Sequence, residues 1–313
     1  MKTPSILTIG LIGSLIADEQ EIAYILSDLN LPSSESSVSR TNQAFIKTVD
    51  QIHILSILAS SKGGLVRALD GIPASPSSDK SQYHLFNPTP NNLLRGLSPD
   101  RPDITESPIT VDAGRYQIEA SLFDYRRDQG IETFTYGQIN MKAGLTHNID
   151  LQGVIDIRSE ALGDWTTFGD LSIRLKYNLW GNDGGDSALA IMPYLTAPTR
   201  SDEWQGGIIV PWASDLTDDV SLGLQGQLDF VNDGIGSETE FLFTAALGYP
   251  IIGNLGGYSE YIGVIAEDRY ESYYSGGLTY EISEDLILDA GVQVGLNSDS
   301  EDFGFFTGFT QRF

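Results

Sequence analysis

The sequence predicts an all-β membrane protein, an antiparallel barrel of about twelve strands preceded by a short helical segment. Two observations predict this class. From about residue 110 onward, apolar and polar residues alternate with a period of two in segments of roughly ten residues. The chain also has no run of about 18 or more apolar residues, so no transmembrane helix is expected. Strands that cross a lipid bilayer have to close into a barrel, because lipid satisfies no backbone hydrogen bonds.

The chain begins with a stretch that resembles a secretory signal peptide. Lys2 supplies the basic start, residues 6–16 form a short apolar stretch, and Ala17 suits a cleavage site. We therefore expect a signal peptide over residues 1–17 and export of the protein. A buried amino-terminal helix is the alternative.

The next 80 or so residues divide into a helical part and a linker. Within residues 18–72, apolar residues recur at helical spacing, which predicts a helical periplasmic segment. Such a stripe is expected to pack against a partner helix, the membrane surface or another subunit, so oligomerisation through this segment is one reading. Residues 73–97 are rich in Pro, Ser and Asn and are predicted to form a linker.

Residues 98–313 are assigned to the barrel. Alternation is clean in residues 171–179, 220–230 and 286–297, whereas two stretches are apolar on both faces, so their orientation is left open: residues 187–195 and 257–266. Short connections are predicted at residues 147–148, 214–219, 252–254 and 283–285, and longer ones at residues 126–132, 160–168, 197–204, 232–237 and 267–272. Short turns are typical of the periplasmic side and longer loops of the outside, and an even number of strands puts both barrel termini in the periplasm.

The last residues resemble the closing strand of bacterial outer-membrane β-barrels. One face of this strand carries Phe303, Phe305, Thr307, Phe309, Gln311 and Phe313. Thr307, Gly308 and the terminal Phe313 fit the pattern of such strands, whereas Gln311 departs from it. The resemblance implies a location in the outer membrane of a Gram-negative-type bacterium. The expected partners are outer-membrane lipid and the barrel-assembly machinery, which would recognise this strand.

A soluble β-sandwich would also alternate apolar and polar residues. It would need to bury its apolar faces against a second sheet, and about twelve strands with outward Phe, Tyr and Leu favour the barrel instead.

The net charge of −25 argues against a nucleic-acid partner. From residue 100 onward there are 35 Asp and Glu against 11 Lys and Arg, so nearly all the excess lies in the predicted barrel. Two interpretations remain open: acidic, solvated loops, and a pore mouth that prefers cations.

Two motifs resemble a known family. They are SPDRPDITESP at residues 98–108 and LILDAGVQVGLN at residues 286–297, supported by Gly169-Asp170-Leu171 and Lys176-Tyr177. Together they are similar to the outer-membrane proteins named for the meta-pathway of phenol degradation, over about residues 95–313. The resemblance implies an outer-membrane barrel and uptake of small molecules, aromatic compounds among them.

The alternation predicts which charged residues face the lumen. The basic set is Arg115, Lys142, Arg158, Arg174, Lys176 and Arg312, and the acidic set is Glu119, Asp156, Asp170, Asp229, Glu240, Glu281 and Asp289. Most basic residues lie in the early strands and most acidic ones in the later strands, so a basic wall would face an acidic wall. Such a field could orient dipolar solutes, or the groups could pair and fill a narrow lumen.

The stretch before the first strand predicts a periplasmic plug made of Asp100, Arg101, Asp103 and Glu106. Its prolines hold residues 98–108 out of a helix. We expect it to fold into the periplasmic mouth, where Arg101 could reach an acid such as Asp289. A solvated linker is the alternative.

No catalytic site, cofactor or metal is expected. The chain has no Cys and three His, and His147 falls at a predicted turn. The favoured function is passage of small solutes, hydrophobic or aromatic compounds among them, through an outer-membrane channel. The alternatives are a structural anchor that displays the periplasmic helical segment and, at lower weight, a lipid-modifying enzyme.

Overall fold

A computed structural model describes residues 80–199, 204–232 and 237–313. The predicted signal peptide, the predicted helical segment and residues 73–79 of the predicted linker therefore lie outside the described residues. The described helices are two 3-10 turns, Lys80–Gln82 and Asn91–Leu93. None of the helices in these ranges is both long enough and apolar enough to span a membrane.

The described strands form one antiparallel sheet that closes on itself. The strands are β1 (Tyr116–Asp128), β2 (Ile131–Thr146), β3 (Ile149–Ala161), β4 (Asp164–Thr167), β5 (Leu171–Trp180), β6 (Ser187–Ala197), β7 (Gln205–Thr217), β8 (Val220–Asn232), β9 (Ser237–Ile252), β10 (Leu255–Ile265), β11 (Tyr270–Ser283), β12 (Leu286–Gly295) and β13 (Phe303–Arg312). Strands adjacent in sequence pair with each other except β4 and β5, because β5 pairs with β3, and β1 also pairs with β13. The short β4 pairs with β3 beyond the point where β5 begins. The other twelve strands close the barrel, which confirms the predicted antiparallel barrel of about twelve strands.

Burial shows which face of the sheet points inward. On β2, Lys142 is 3% exposed, whereas its neighbour Met141 is 54% exposed. On β5, Lys176 is 1% exposed, whereas Leu175 is 39% exposed. Because only the inside of a closed barrel can bury one face of every strand, the polar residues face the lumen and the apolar residues face outward. This distribution is the reverse of that in a water-soluble globular domain.

The same alternation orients the strands that the sequence left open. In β6, Ala190 and Met192 are fully buried, and in β10 the buried inward residues include Tyr258, Glu260 and Ile262. Both strands are apolar on their outer face, and β6 is apolar on its inner face as well. Glu260 is therefore a buried carboxylate on an otherwise apolar strand.

The closing strand β13 points outward with the face that its sequence pattern predicted. Phe305 and Phe313 are 38% and 62% exposed, whereas Phe306 and Arg312 are buried. Beyond the end of β13, the amide of Phe313 donates to the carbonyl of Tyr116 over 2.9 Å, which extends the seam between β1 and β13 to the last residue.

The longer connection predicted at residues 126–132 is wrong. Residues 126–132 were expected to form a longer loop, but β1 and β2 run through them and leave the two-residue turn Gln129-Gly130. Both turn residues have positive φ, 48° and 84°, as a tight type I′ hairpin requires. The polar residues that suggested a loop are strand residues that extend the β1–β2 hairpin.

The barrel has two distinct ends. The terminal end contains the start of β1 at Tyr116 and the end of β13 at Arg312, together with the turn at residues 147–148. The far end contains the turn at residues 129–130. The chain approaches β1 from the terminal end, where Leu85 donates to the carbonyl of Leu145.

Candidate functional site: a charged segment inside the barrel

Residues 98–112, here called the inserted segment, run through the lumen in a non-helical conformation. Prolines at 99, 102 and 108 keep this stretch extended and without internal helical hydrogen bonds. Its backbone amides instead donate to side chains of the wall. These bonds run from Ile104 and Thr105 to Glu260, from Glu106 to Gln225, from Thr110 to Asn182 and from Val111 to Asp150, over 2.7–3.1 Å. The acceptors lie on or between strands around the sheet, so the segment is enclosed by the barrel.

Asp100 lies at the centre of a buried cluster of four charged groups. Nζ of Lys176 is 2.8 Å and 2.9 Å from its two carboxylate oxygens, and Nζ of Lys142 also pairs with it. Lys142 pairs in addition with Glu119, which accepts a 3.1 Å hydrogen bond from the Asp100 amide. The four side chains are at most 3% exposed. Burial alone would favour the neutral acid, but the two lysines hold the pKa of Asp100 well below its usual range.

Glu106 is the second carboxylate of the inserted segment that reaches a basic strand. Its Oε1 lies 2.6 Å from Nη1 of Arg174 on β5. Burial and the nearby charge of Asp100 raise the pKa of Glu106 to about 8, although Arg174 acts in the opposite direction. Glu106 therefore changes its charge in the range of ordinary working pH, unlike Asp100.

Arg101 reaches the opposite side of the lumen. Its Nη2 and Nε lie 2.7 Å and 3.2 Å from the carboxylate oxygens of Asp289 on β12. Asp100 thus faces Lys142 and Lys176, and Glu106 faces Arg174, whereas Arg101 faces an acid on the other wall. The segment is matched in charge to both walls, as electrostatic complementarity requires for a buried contact.

Hydrogen bonds and an ion pair hold the chain at the terminal end. The Arg95 amide donates to Asp112 over 2.9 Å, and Nη1 of Arg312 donates to the carbonyl of Arg95 over 2.6 Å. Arg312 also pairs with Asp285 at 2.7 Å. These contacts join the residues before the inserted segment to the closing strand.

Between the inserted segment and the far end lies a cavity of about 580 Å³. Its floor is formed by residues 100–106, and its walls are formed by the far halves of the strands. This volume is large enough for a small organic solute.

The predicted lumen residues fall into three groups. Glu119, Lys142, Arg174, Lys176 and Asp289 contact the inserted segment. Asp156 and Asp170 line the cavity and make no contact with the inserted segment among the described hydrogen bonds and ion pairs. The remaining six lie elsewhere: Arg115, Arg158, Asp229, Glu240, Glu281 and Arg312.

Those six residues have other surroundings. Arg115 donates to the carbonyl of Thr89, and Arg312 pairs with Asp285, both at the terminal end. Asp229 accepts from Tyr194, and Glu240 pairs with Arg269 near the far end. Arg158 lies 3.7 Å from the ring centroid of Trp165, and Glu281 is a half-buried residue of β11.

The four residues predicted to form the plug also differ in their surroundings. Asp100, Arg101 and Glu106 make the ion pairs described above, whereas Asp103 lines the cavity. The basic residues around the inserted segment lie on β2 and β5, and Asp289 lies on β12, but the buried acids Glu119 and Asp150 lie beside the basic residues, on β1 and β3.

Four residues that accept hydrogen bonds from backbone amides of the inserted segment were not predicted: Asp150, Asn182, Gln225 and Glu260. Glu260 could have been found as the single acid in a stretch that is otherwise apolar on both faces. A lone carboxylate on a buried strand needs hydrogen-bond donors that are buried with it. Gln225 was placed on a polar face, but its neutral side chain gave no reason to single it out. Nothing in the sequence marks Asn182, which lies in the connection after β5.

The described residues contain no group of three or more His, Asp or Glu side chains that could hold a metal ion. His147 pairs with Asp183 at 2.8 Å in the turns of the terminal end, and His84 bonds to the amide of Phe86. Neither histidine lines the cavity.

Solved structures share this architecture. The COG4313 outer membrane channel from Pseudomonas putida F1 is 14% identical, with a TM-score of 0.50 over 69% of this chain and 100% of that chain. The NanC porin is 10% identical, with a TM-score of 0.47 over 63% of this chain and 98% of its own. The KdgM porin is 12% identical, with a TM-score of 0.45 over 61% and 98%. At these identities the similarity concerns the fold alone.

No curated protein matches the chain. The sequence model of one family, described as "Putative MetA-pathway of phenol degradation", matches residues 99–313. That range includes the inserted segment from Pro99 onward and all thirteen strands. The chain therefore belongs to this phenol-degradation family, as its two sequence motifs predicted.

Proposed function

We propose that this protein is an outer-membrane channel whose passage is controlled by the inserted segment. The observation that carries the proposal is the distribution of charge in a closed barrel: charged residues are buried inside, and large apolar side chains cover the outside. Such a surface is stable in lipid and not in water. The similarity in fold to the COG4313 channel and the family membership support the same placement.

In this proposal the inserted segment is the plug. It crosses the terminal half of the lumen and bonds to side chains on both walls. The cavity above it is then a vestibule for a solute that enters from the far end. Small solutes, hydrophobic or aromatic compounds among them, are the expected cargo, and outer-membrane lipid and the barrel-assembly machinery are the expected partners.

Conductance in planar lipid bilayers tests the proposal. The full chain is compared with a variant that lacks residues 98–108. We expect low or intermittent conductance for the full chain and a several-fold larger, steadier conductance for the deletion. Heat-dependent mobility on gels shows whether each protein has folded into a barrel.

Two outcomes contradict the proposal. Unchanged conductance and unchanged stability on deletion would exclude the plug. A folded deletion variant that passes neither ions nor solutes would exclude the channel and favour a structural anchor for the amino-terminal residues. The charged filling of the lumen is the observation that gives this second function its weight.

A further inference from the structure

The cavity between residues 100–106 and the far end is lined by more carboxylates than basic side chains. Seven of its lining side chains are carboxylates, and three are arginines. The arginines are already paired: Arg101 with Asp289 at 2.7 Å, Arg126 with an adjacent acid at 2.8 Å, and Arg174 with Glu106 at 2.6 Å. Asp100 and Glu119 are paired with Lys142 and Lys176, so the other three carboxylates of the lining remain to be accounted for.

Three lining carboxylates have no cationic partner within the described ranges: Asp103, Asp156 and Asp170. Asp156 receives a 2.9 Å hydrogen bond from the neutral amide of Gln138. Asp170 receives bonds of 2.8 Å and 3.1 Å from the amide and hydroxyl of Thr199. These neutral donors orient the carboxylates without cancelling their charge.

Two of these acids are neighbours. The amide of Gly169 donates to the carbonyl of Asp156 over 2.8 Å, and Ile155 pairs with Leu171, so Asp170 lies beside Asp156 just before β5. Like charges at neighbouring positions of adjacent chain segments repel each other. A cation bound between Asp156 and Asp170 would relieve this repulsion.

A second, independent observation also indicates a ligand. Among the described residues, the hydroxyl of Ser121 has no hydrogen-bond partner, although Ser121 is only 4% exposed and belongs to the cavity lining. Oδ1 of Asn140, in the same lining, is also buried and has no partner within this part of the chain. Buried polar atoms are normally satisfied, so these two acceptors are suited to a solute that carries donors.

The cavity lining also contains apolar side chains. Ile209 on β7 and Phe306 on β13 line it and are 3% and 6% exposed, and Ile155 on β3 lies in the same lining. Its volume of about 580 Å³ is large enough for a small organic solute. The lining therefore combines acids without a cationic partner, free acceptors and apolar side chains.

We propose that this cavity binds small organic cations, namely solutes with an ammonium group and a short apolar body. The ammonium group donates to the acids and free acceptors, and the apolar body packs against Ile209 and Phe306. The inference deepens the proposed channel function by naming a solute class and rests on it for its biological meaning.

Calorimetry on the detergent-solubilised full chain tests the site. The titrants are n-butylammonium, n-butanol and butyrate, which share an apolar body and differ in charge. We expect butylammonium to bind and the other two to bind at least about ten-fold more weakly. The double variant Asp156→Asn and Asp170→Asn should weaken butylammonium binding at least about ten-fold.

The matched control is the double variant Asp164→Asn and Asp268→Asn. It removes the same charge from exposed residues at the far end that do not line the cavity. Its affinity for butylammonium should equal that of the wild type, which also corrects for uptake of the amine by detergent.

The proposal is overturned if wild type does not bind butylammonium, if butyrate binds as well, or if both double variants lose affinity equally. Calorimetry measures binding of the amine to the cavity whether or not the barrel conducts ions. A protein that binds the amine but passes no current would contradict the channel and leave the site intact, whereas a conducting protein without amine binding would contradict the site alone.

Discussion

Asp100 and Lys176 form a buried ion pair in which the lysine Nζ lies 2.8 Å and 2.9 Å from the two carboxylate oxygens. One partner belongs to the inserted segment and the other to the barrel wall. A buried lysine without a counter-charge is costly, so the wall and the segment stabilise each other. The charge of a buried wall lysine is therefore balanced by the segment that enters the lumen.

The first prediction concerns this pair. Asp100→Asn removes the charge that balances Lys176 and much of that on Lys142, so we expect a loss of about 3 kcal/mol in unfolding free energy. The measurement is unfolding in detergent followed by tryptophan fluorescence. The control is Asp218→Asn in an exposed turn, which should change little. Equal stability of the two variants would contradict the pairing.

The second prediction concerns Arg101 and Asp289, which meet across the lumen. In a double-mutant cycle with Arg101→Ala and Asp289→Ala, we expect a coupling of about 1–3 kcal/mol, because each single variant leaves a buried charge unpaired. Both single variants should also increase bilayer conductance. Strictly additive effects would show that the two side chains do not stabilise each other.

The third prediction is a pH dependence that depends on Glu106. Burial and the neighbouring Asp100 raise the pKa of this acid to about 8 in the folded protein, above its usual value. The folded state therefore binds the proton more tightly than the unfolded state. The contribution of Glu106 to stability is full below its unfolded pKa, declines as the pH rises and is lost above about 8.

The test is stability against pH for the wild type and for Glu106→Gln, which is neutral at every pH. We expect the wild type to lose stability between about pH 5 and 8, and the variant to show a flatter profile. Glu267→Gln, at an exposed site, should follow the wild type. Parallel profiles for wild type and Glu106→Gln would rule out this role.

The fourth prediction uses the contact between β8 and the inserted segment. A Cβ atom at Gly223 would lie 2.9 Å from Cγ2 of Thr105, so Gly223→Val should displace the segment. Because the natural chain has no cysteine, a single Ser107→Cys reports the displacement by its rate of maleimide labelling. We expect several-fold faster labelling with Gly223→Val. Gly226→Val is the control, since its Cβ would approach only the ring of Phe241, at 3.7 Å.

The fifth prediction concerns the end of the chain. Phe313 is bonded to Tyr116 through its amide, at 2.9 Å. Deleting Phe313 removes this last bond of the seam and the terminal aromatic, so we expect a lower yield of assembled barrel. Heat-dependent gel mobility measures that yield. Phe313→Tyr, which keeps the bond and the aromatic ring, should assemble normally, and equal yields for deletion and wild type would contradict the prediction.

The strands could be predicted because each one carries its own signal. Leu175 and Lys176 differ in polarity because one faces outward and the other faces the lumen, and this difference is visible within a single strand. The same reasoning oriented β13 correctly. It failed at residues 126–132, where polar strand residues near the far end suggested a loop.

The site was only partly predictable. Arg101 was expected to reach an acid such as Asp289 from its position before the barrel, and the two lie 2.7 Å apart. In contrast, Arg158 and Glu240 were assigned to the lumen from alternation, but they contact Trp165 and Arg269. Alternation gives the face of a residue and not its height or its partner, which depend on bulges and on neighbouring strands.

By itself, the sequence determined the membrane-type fold, the approximate number of strands and the inward direction of most charges, because these follow from a local period of two. Only the tertiary structure decided that Asp100 lies between Lys142 and Lys176, that Glu260 and Gln225 hold the inserted segment, and that acids above it have no cationic partner within the described ranges. These contacts of the inserted segment join residues 42 to 156 positions apart along the chain, so closure of the barrel is what brings them together.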